Sequence, residues 1–128
     1  RINRGKDLGP QCLGPGPHNC TWVNDLIMHE SVAFIRKYAR GQKPFFLYVS
    51  STVPHSGSLA GIKPKTTKYP VPRPYNKADF LKSEWPRLER DYASAVWAQD
   101  FVVGAVLDEL AAQKIEEETV VFFSGDNG

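Results

Sequence analysis

The sequence predicts an α/β fold organised around a right-handed βαβ unit, and three observations predict it. Residues 45–50 (Phe45-Phe46-Leu47-Tyr48-Val49-Ser50) and residues 119–123 (Thr119-Val120-Val121-Phe122-Phe123) are continuous apolar, aromatic and β-branched runs of strand length. Between them, residues 88–113 carry apolar side chains at the helical period. Neither run alternates, so each reads as a strand covered on both faces, as in a parallel sheet. Two parallel strands joined through a helix take the right-handed crossover.

The 128 residues, 41% hydrophobic and 23% charged, have a globular balance at the size of one domain. A chain of this length buries about two-thirds of the surface that its unfolded form exposes, enough for one core. We read residues 1–128 as a single partial domain, loop-rich over 1–23 and 54–87, and expect it to be a fragment of a larger catalytic domain. No apolar run approaches the roughly 20 residues needed to cross a bilayer, and no targeting pattern is visible at the N-terminus.

Residues 3–20 are rich in Gly, Pro and Asn and read as a loop. Cys12 and Cys20 bracket a Gly-Pro-Gly-Pro turn, a spacing that permits a disulfide-closed loop in an oxidising compartment. Asn19-Cys20-Thr21 is an N-glycosylation acceptor pattern and points to the same compartment. Free thiols and a chance sequon are the bland alternative. Two cysteines and three scattered histidines are too few for a structural zinc site.

The first helix is predicted over residues 24–40, where Ile27, Ser31, Phe34, Ile35 and Tyr38 recur at spacings of three and four. Asn24 or Thr21 is the expected N-cap and Gly41 the expected left-handed terminator. Lys43-Pro44 then restarts the chain into the first strand. Beyond Val53-Pro54-His55 runs a connection to about residue 81 that holds Pro64, Pro70, Pro72 and Pro74. Ordinary connections have about 4 to 6 residues, and those this long are usually functional or disordered. A short helical turn capped by Asn76 or Lys77 is expected near its end. The second helix tolerates Gly104 at about 1 kcal/mol, and Glu116-Glu117-Glu118 forms a solvated turn before the second strand.

Charge is laid out unevenly. Net charge is +2, but residues 1–53 carry +4, residues 54–90 carry +5 and residues 91–128 carry −7. The basic middle block, including Lys63, Lys65, Lys68, Arg73 and Lys77, suits an anionic substrate, although a solvated loop has the same composition. It is not a continuous basic helical face, so a nucleic-acid partner is not expected.

In open α/β sheets ligands lie beyond the carboxyl ends of the strands. Those ends here are Val53-Pro54-His55 and Ser124-Gly125-Asp126-Asn127-Gly128. Asp126 offers a carboxylate and Asn127 a carboxamide oxygen, hard donors that suit Ca²⁺ or Mg²⁺ rather than zinc. Asp-Asn-Gly is also an ordinary turn sequence. His55 is placed to hydrogen-bond an anion or protonate a leaving group near neutral pH; a strand-end histidine satisfied by backbone is the alternative. His18 and His29 receive no role, and Ser50, Ser51, Ser56 and Ser124 lack a nucleophile-elbow context.

Taken in order, the run from Lys43 to Ser50, Val53-Pro54-His55, Asp91-Tyr92, the helix bearing Asp100, Gly104, Leu107 and Leu110, and residues 119–128 resemble the type I sulfatase family over about residues 24–128, closest to its arylsulfatase and glycosaminoglycan-sulfatase branch. The resemblance implies an alkaline-phosphatase-like sheet sandwiched by helices and hydrolysis of a sulfated small molecule or sulfated glycan. It implies that Asp126 and Asn127 ligate Ca²⁺, that His55 contacts the sulfate and assists the leaving group, and that the protein is secreted or lysosomal. It also implies a formylglycine nucleophile made from Cys-x-Pro-x-Arg. Neither Cys12-Leu13-Gly14-Pro15-Gly16 nor Cys20-Thr21-Trp22-Val23 fits that motif, so the formylglycine is expected outside this segment and the segment alone is expected to be inactive. The family's Asp-Asp metal ligands, its loop lysine and histidine and its later lysine have no counterpart here either.

Two other classes compete with this reading. A non-catalytic relative would use the basic loop to bind sulfated polysaccharide. A phosphodiesterase or phosphatase of the same superfamily would place a histidine beside Asp126 to hold zinc, where this chain has Asn127.

Overall fold

A computed structural model describes residues 22–55 and 84–126. The expected loop disulfide (Cys12, Cys20), the sequon at Asn19, the basic loop with Lys63 and Lys65, the helical turn near residues 76–81, and Asn127 lie outside the described residues.

Two helices organise what is described: α1 (Val23–Tyr38) and α2 (Arg87–Gln113). In α1, Asp25 in the first turn and Arg36 and Lys37 in the last complement the helix dipole. Its boundaries differ from the expected cap chemistry at both ends. The N-cap is Trp22, without a side-chain cap bond, and Asn24 lies inside the helix with its amide engaged elsewhere. At the other end Gly41 does not take the left-handed conformation. It matters through close approach instead: its N–H donates to Tyr38 O at 2.9 Å, and a Cβ at position 41 would stand 3.1 Å from that same oxygen.

α2 matches its expected span to within one residue. It ends at Lys114, which is left-handed (φ 60°, ψ 40°) and donates its N–H to Ala111 O, while the Ile115 N–H reaches back to Leu110 O at 3.1 Å. This is the Schellman pairing, with lysine at a position where glycine is the usual occupant. The acidic triplet forms a 3-10 turn, Glu116–Glu118, fully in solvent.

The helices pack on each other through Ile35, Val102 and Leu110, all buried, and α2 brings Ala95 and Ala98 against Trp22 and Val53. The two alanines let the chain around Val53 sit close to the helix axis. Phe34 bridges onward, stacking edge-on against Phe45 with centroids 5.6 Å apart. At the far end of the interface Arg36 Nε donates to Glu109 Oε2 at 2.9 Å, and Gln113 Nε2 donates to Glu109 Oε1 at 2.7 Å. Bonds from Arg36 and then Gln113 hold the Glu109 carboxyl below the usual carboxylate range, against the opposing effect of burial.

Residues 45–50 differ from the expected doubly covered strand. Phe45, Leu47 and Val49 are half-buried toward α1, whereas Phe46 and Tyr48 are 87% and 79% exposed. That two-residue alternation is the one a pleated segment shows when a helix covers one face. The second apolar run is barer, with Phe122 91% exposed. Among the described residues neither run is paired in a ladder.

Two side-chain bonds from Asn24 tie the residues just after the first run to α1. Asn24 is wholly buried; its Nδ2 donates to Ser51 Oγ at 2.8 Å, and its Oδ1 accepts from Thr52 Oγ1 at 2.9 Å.

Three stability outcomes follow from this packing. Gly104 sits in the interior of α2 with nothing within 4 Å of where a Cβ would stand, so Gly104→Ala raises the unfolding free energy by about 1 kcal/mol in denaturant titration. Asn24→Ala removes both of these side-chain bonds and lowers it by about 2 kcal/mol. Because the folded-state pKa of Glu109 is depressed, its contribution is present above the ordinary carboxylate range and is lost as pH falls through the depressed value. Thermal melts across an acid series therefore show a smaller acid-induced drop in Glu109→Gln than in the parent.

Candidate functional site

The side chain best placed for chemistry is His55, and its setting is built by three neighbours that come before it in sequence. Thr52 is bonded to Asn24 through its hydroxyl, and its carbonyl accepts the His55 backbone N–H at 3.3 Å. Ser51 takes the Asn24 amide and exchanges 3.3 Å contacts with both the N–H and the C=O of Val53. Val53 in turn packs on Ala95 and Ala98 of α2, and the Val53–Pro54 peptide is cis. The chain between α1 and His55 is thus held by side-chain bonds on one side and by apolar contact on the other. His55 itself emerges exposed at the end of this turn, where an imidazole meets solvent and solutes.

The second strand exit lies in the described residues only as far as Asp126. That carboxylate is exposed, and the preceding Ser124 Oγ donates to Gly125 O at 2.9 Å. Gly125 has open space where a Cβ would stand. No three His, Cys, Asp or Glu side chains converge at a metal-binding distance among the described residues. An exposed carboxylate is the right kind of donor for Ca²⁺, which takes six to eight oxygens.

Of the expected site residues, then, His55 and Asp126 are placed, each at the exit of an apolar run. Lys63, Lys65 and Asn127 are outside the described residues. A groove between α1 and residues 47–50, lined by Ile27, Phe34, Tyr38, Leu47 and Val49, includes neither His55 nor Asp126.

Sequence reasoning missed the supporting group Asn24, Ser51 and Thr52. The signal was present. Asn24 falls on the same stripe as Ile27, Ser31 and Ile35, so a carboxamide sits where the helix turns inward. Two hydroxyl residues follow directly on the apolar run. Read as a cap, Asn24 was assigned to its own backbone, whereas the fold uses it across 27 and 28 residues of chain.

Comparison with known proteins gives this arrangement a family. The chain is 32% identical over 127 residues to the N-acetylgalactosamine-6-sulfatase of Canis lupus familiaris, covering 99% of this chain and 20% of the relative. It is 29% identical over 107 residues to arylsulfatase H of Homo sapiens, covering 83% of this chain and 15% of the relative. The chain thus spans less than a quarter of the length of these curated relatives. No solved structure matches it. A family model described as Sulfatase matches residues 17–128, which is most of the chain, and on that match the chain belongs to the sulfatase family.

Proposed function

We propose that this chain is the part of a sulfuric ester hydrolase that supplies the sulfate-contacting histidine and two ligands of a divalent cation. The observation that carries the reading is the tethered exit at His55: an exposed imidazole whose backbone is bonded to Thr52 and, through it, to a buried helix residue. An imidazole so held can donate a hydrogen bond to a sulfate oxygen, and near neutral pH it can pass a proton to the departing oxygen. Such a group stabilises charge that grows on oxygen as the S–O bond breaks.

Asp126 and Asn127 would hold Ca²⁺, which supplies positive charge toward the sulfate oxygens. Their succession after an apolar run supports that assignment, as does the hard-oxygen character of both. In this reading residues 45–50 and 119–123 are neighbouring strands of an alkaline-phosphatase-like sheet. The bare side chains of Phe46, Tyr48, Val120 and Phe122 are what strands awaiting sheet neighbours and a second layer present.

The substrate class is a sulfated small molecule or a sulfated sugar, in keeping with the relatives' names. The net charge of +5 over residues 54–90, with Lys63 and Lys65 nearest His55 in sequence, suits an anionic ligand. A secretory or lysosomal setting accords with the sequon at Asn19 and with pairing of Cys12 and Cys20. No helix among the described residues is long and apolar enough to cross a membrane. The 128 residues hold no Cys-x-Pro-x-Arg, so this segment by itself is expected to release no sulfate.

The test is His55→Ala in the full-length protein, assayed with a chromogenic aryl sulfate. Loss of the imidazole lowers kcat by about 100-fold or more, with the melting temperature unchanged because the side chain is exposed. Turnover at the parent rate would remove His55 from the chemistry and with it this reading.

A further inference from the structure

We propose that Asn24 and Thr52 form a positioning relay that orients the His55 imidazole, with Asn24 as its buried anchor. The inference rests on the proposed role of His55, which it deepens. Its basis is an unbroken series of contacts. Asn24 lies in the first turns of α1 with no exposed surface, so its amide cannot turn to water for partners. Its Oδ1 accepts from Thr52 Oγ1 at 2.9 Å, and its Nδ2 donates to Ser51 Oγ at 2.8 Å. A carboxamide bonded at both ends has its plane set, and two successive residues of the partner segment are thereby set with it. Thr52 passes the constraint on, because its own carbonyl receives the His55 N–H at 3.3 Å.

The opposite side of the turn is closed by Val53, which rests on Ala95 and Ala98. With one side bonded and the other packed, little backbone freedom is left upstream of His55. A histidine on an exposed turn would otherwise sample many orientations, and catalysis by proton transfer or anion contact depends on near-attack geometry. A carboxamide with no exposed surface at 24, bonded to the hydroxyls of 51 and 52, is an expensive choice, since an apolar group of similar shape would pack without needing partners. Relaying position to the adjacent histidine gives those groups a use that packing does not.

The experiment compares Thr52→Val, Thr52→Ser and Asn24→Ala in the full-length protein. Histidine ring carbons are labelled, and the His55 signal is assigned through its loss in His55→Gln. Thr52→Val keeps the shape of the side chain and removes the hydroxyl; Thr52→Ser keeps the hydroxyl. The relay requires that the His55 ring signal move or broaden in Thr52→Val and Asn24→Ala, that it return to the parent position in Thr52→Ser, and that the exposed His29 signal on α1 stay put in all three. With an aryl sulfate, kcat falls about tenfold in Thr52→Val while KM is retained, and Thr52→Ser recovers the rate. Combining Asn24→Ala with Thr52→Val adds no further loss, as expected of residues that act through one contact.

A parent-like His55 signal in Thr52→Val, or an equal displacement in Thr52→Ser, overturns the relay whatever the rates. Full turnover by His55→Ala would instead overturn the catalytic role of His55, and the ring signals would still decide whether Asn24 and Thr52 orient it. If Asn24→Ala fails to fold, the two Thr52 variants carry the decision.

Discussion

A buried carboxamide left without partners costs a few kcal/mol, and a carboxamide bonded at both ends sets the geometry of whatever it bonds. Asn24 is in the second situation. It is the point at which α1 stops being an isolated amphipathic helix and becomes attached to the chain that precedes His55. Among the described residues, segment 45–53 also meets the helices through apolar contacts: Phe45 on Phe34, and Val53 on Ala95 and Ala98. Those contacts are non-directional, and they would hold the segment near the helices without setting the angle at which it leaves them.

The helix pair shows the same division of labour. Ile35, Ala95, Ala98, Val102 and Leu110 supply the buried apolar surface. Arg36, Glu109 and Gln113 form a bonded cluster at the other end of the interface from Asn24. Apolar contact brings α1 and α2 together, and the Arg36–Glu109 pair limits how they slide or turn, while Asn24 bonds α1 to residues 51 and 52. Glu109 shows how closely such a contact is tied to ionisation, since the bonds that seat its carboxylate also hold its pKa down.

The site follows from this framework. His55 stands one short turn beyond the residues that Asn24 bonds and that α2 packs against. Asp126 stands at the corresponding position after the second apolar run, in open surroundings suited to a cation with several further oxygen ligands. In the function proposed above, membership of the sulfatase family is what joins the two positions. Among the described residues, Phe46, Tyr48, Val120 and Phe122 keep their apolar side chains in solvent.

Both helices were legible in the sequence, because the 3.6-residue period of Ile27, Ser31, Ile35 and of Ala95, Val102, Leu110 is written directly into residue order. Family membership was legible too, since it is carried by short ordered motifs. The helix ends were less so: Gly41 and Asn24 are ordinary terminators by residue type, yet one serves by close approach and the other by a long-range bond. Which face of residues 45–50 meets α1 was hidden as well, because a run with no polar alternation has no marked face. What tertiary structure alone decided is the set of partners that Asn24 finds. Local sequence reports how often a residue caps a helix, but a bond across 28 residues exists only once packing has brought both ends together.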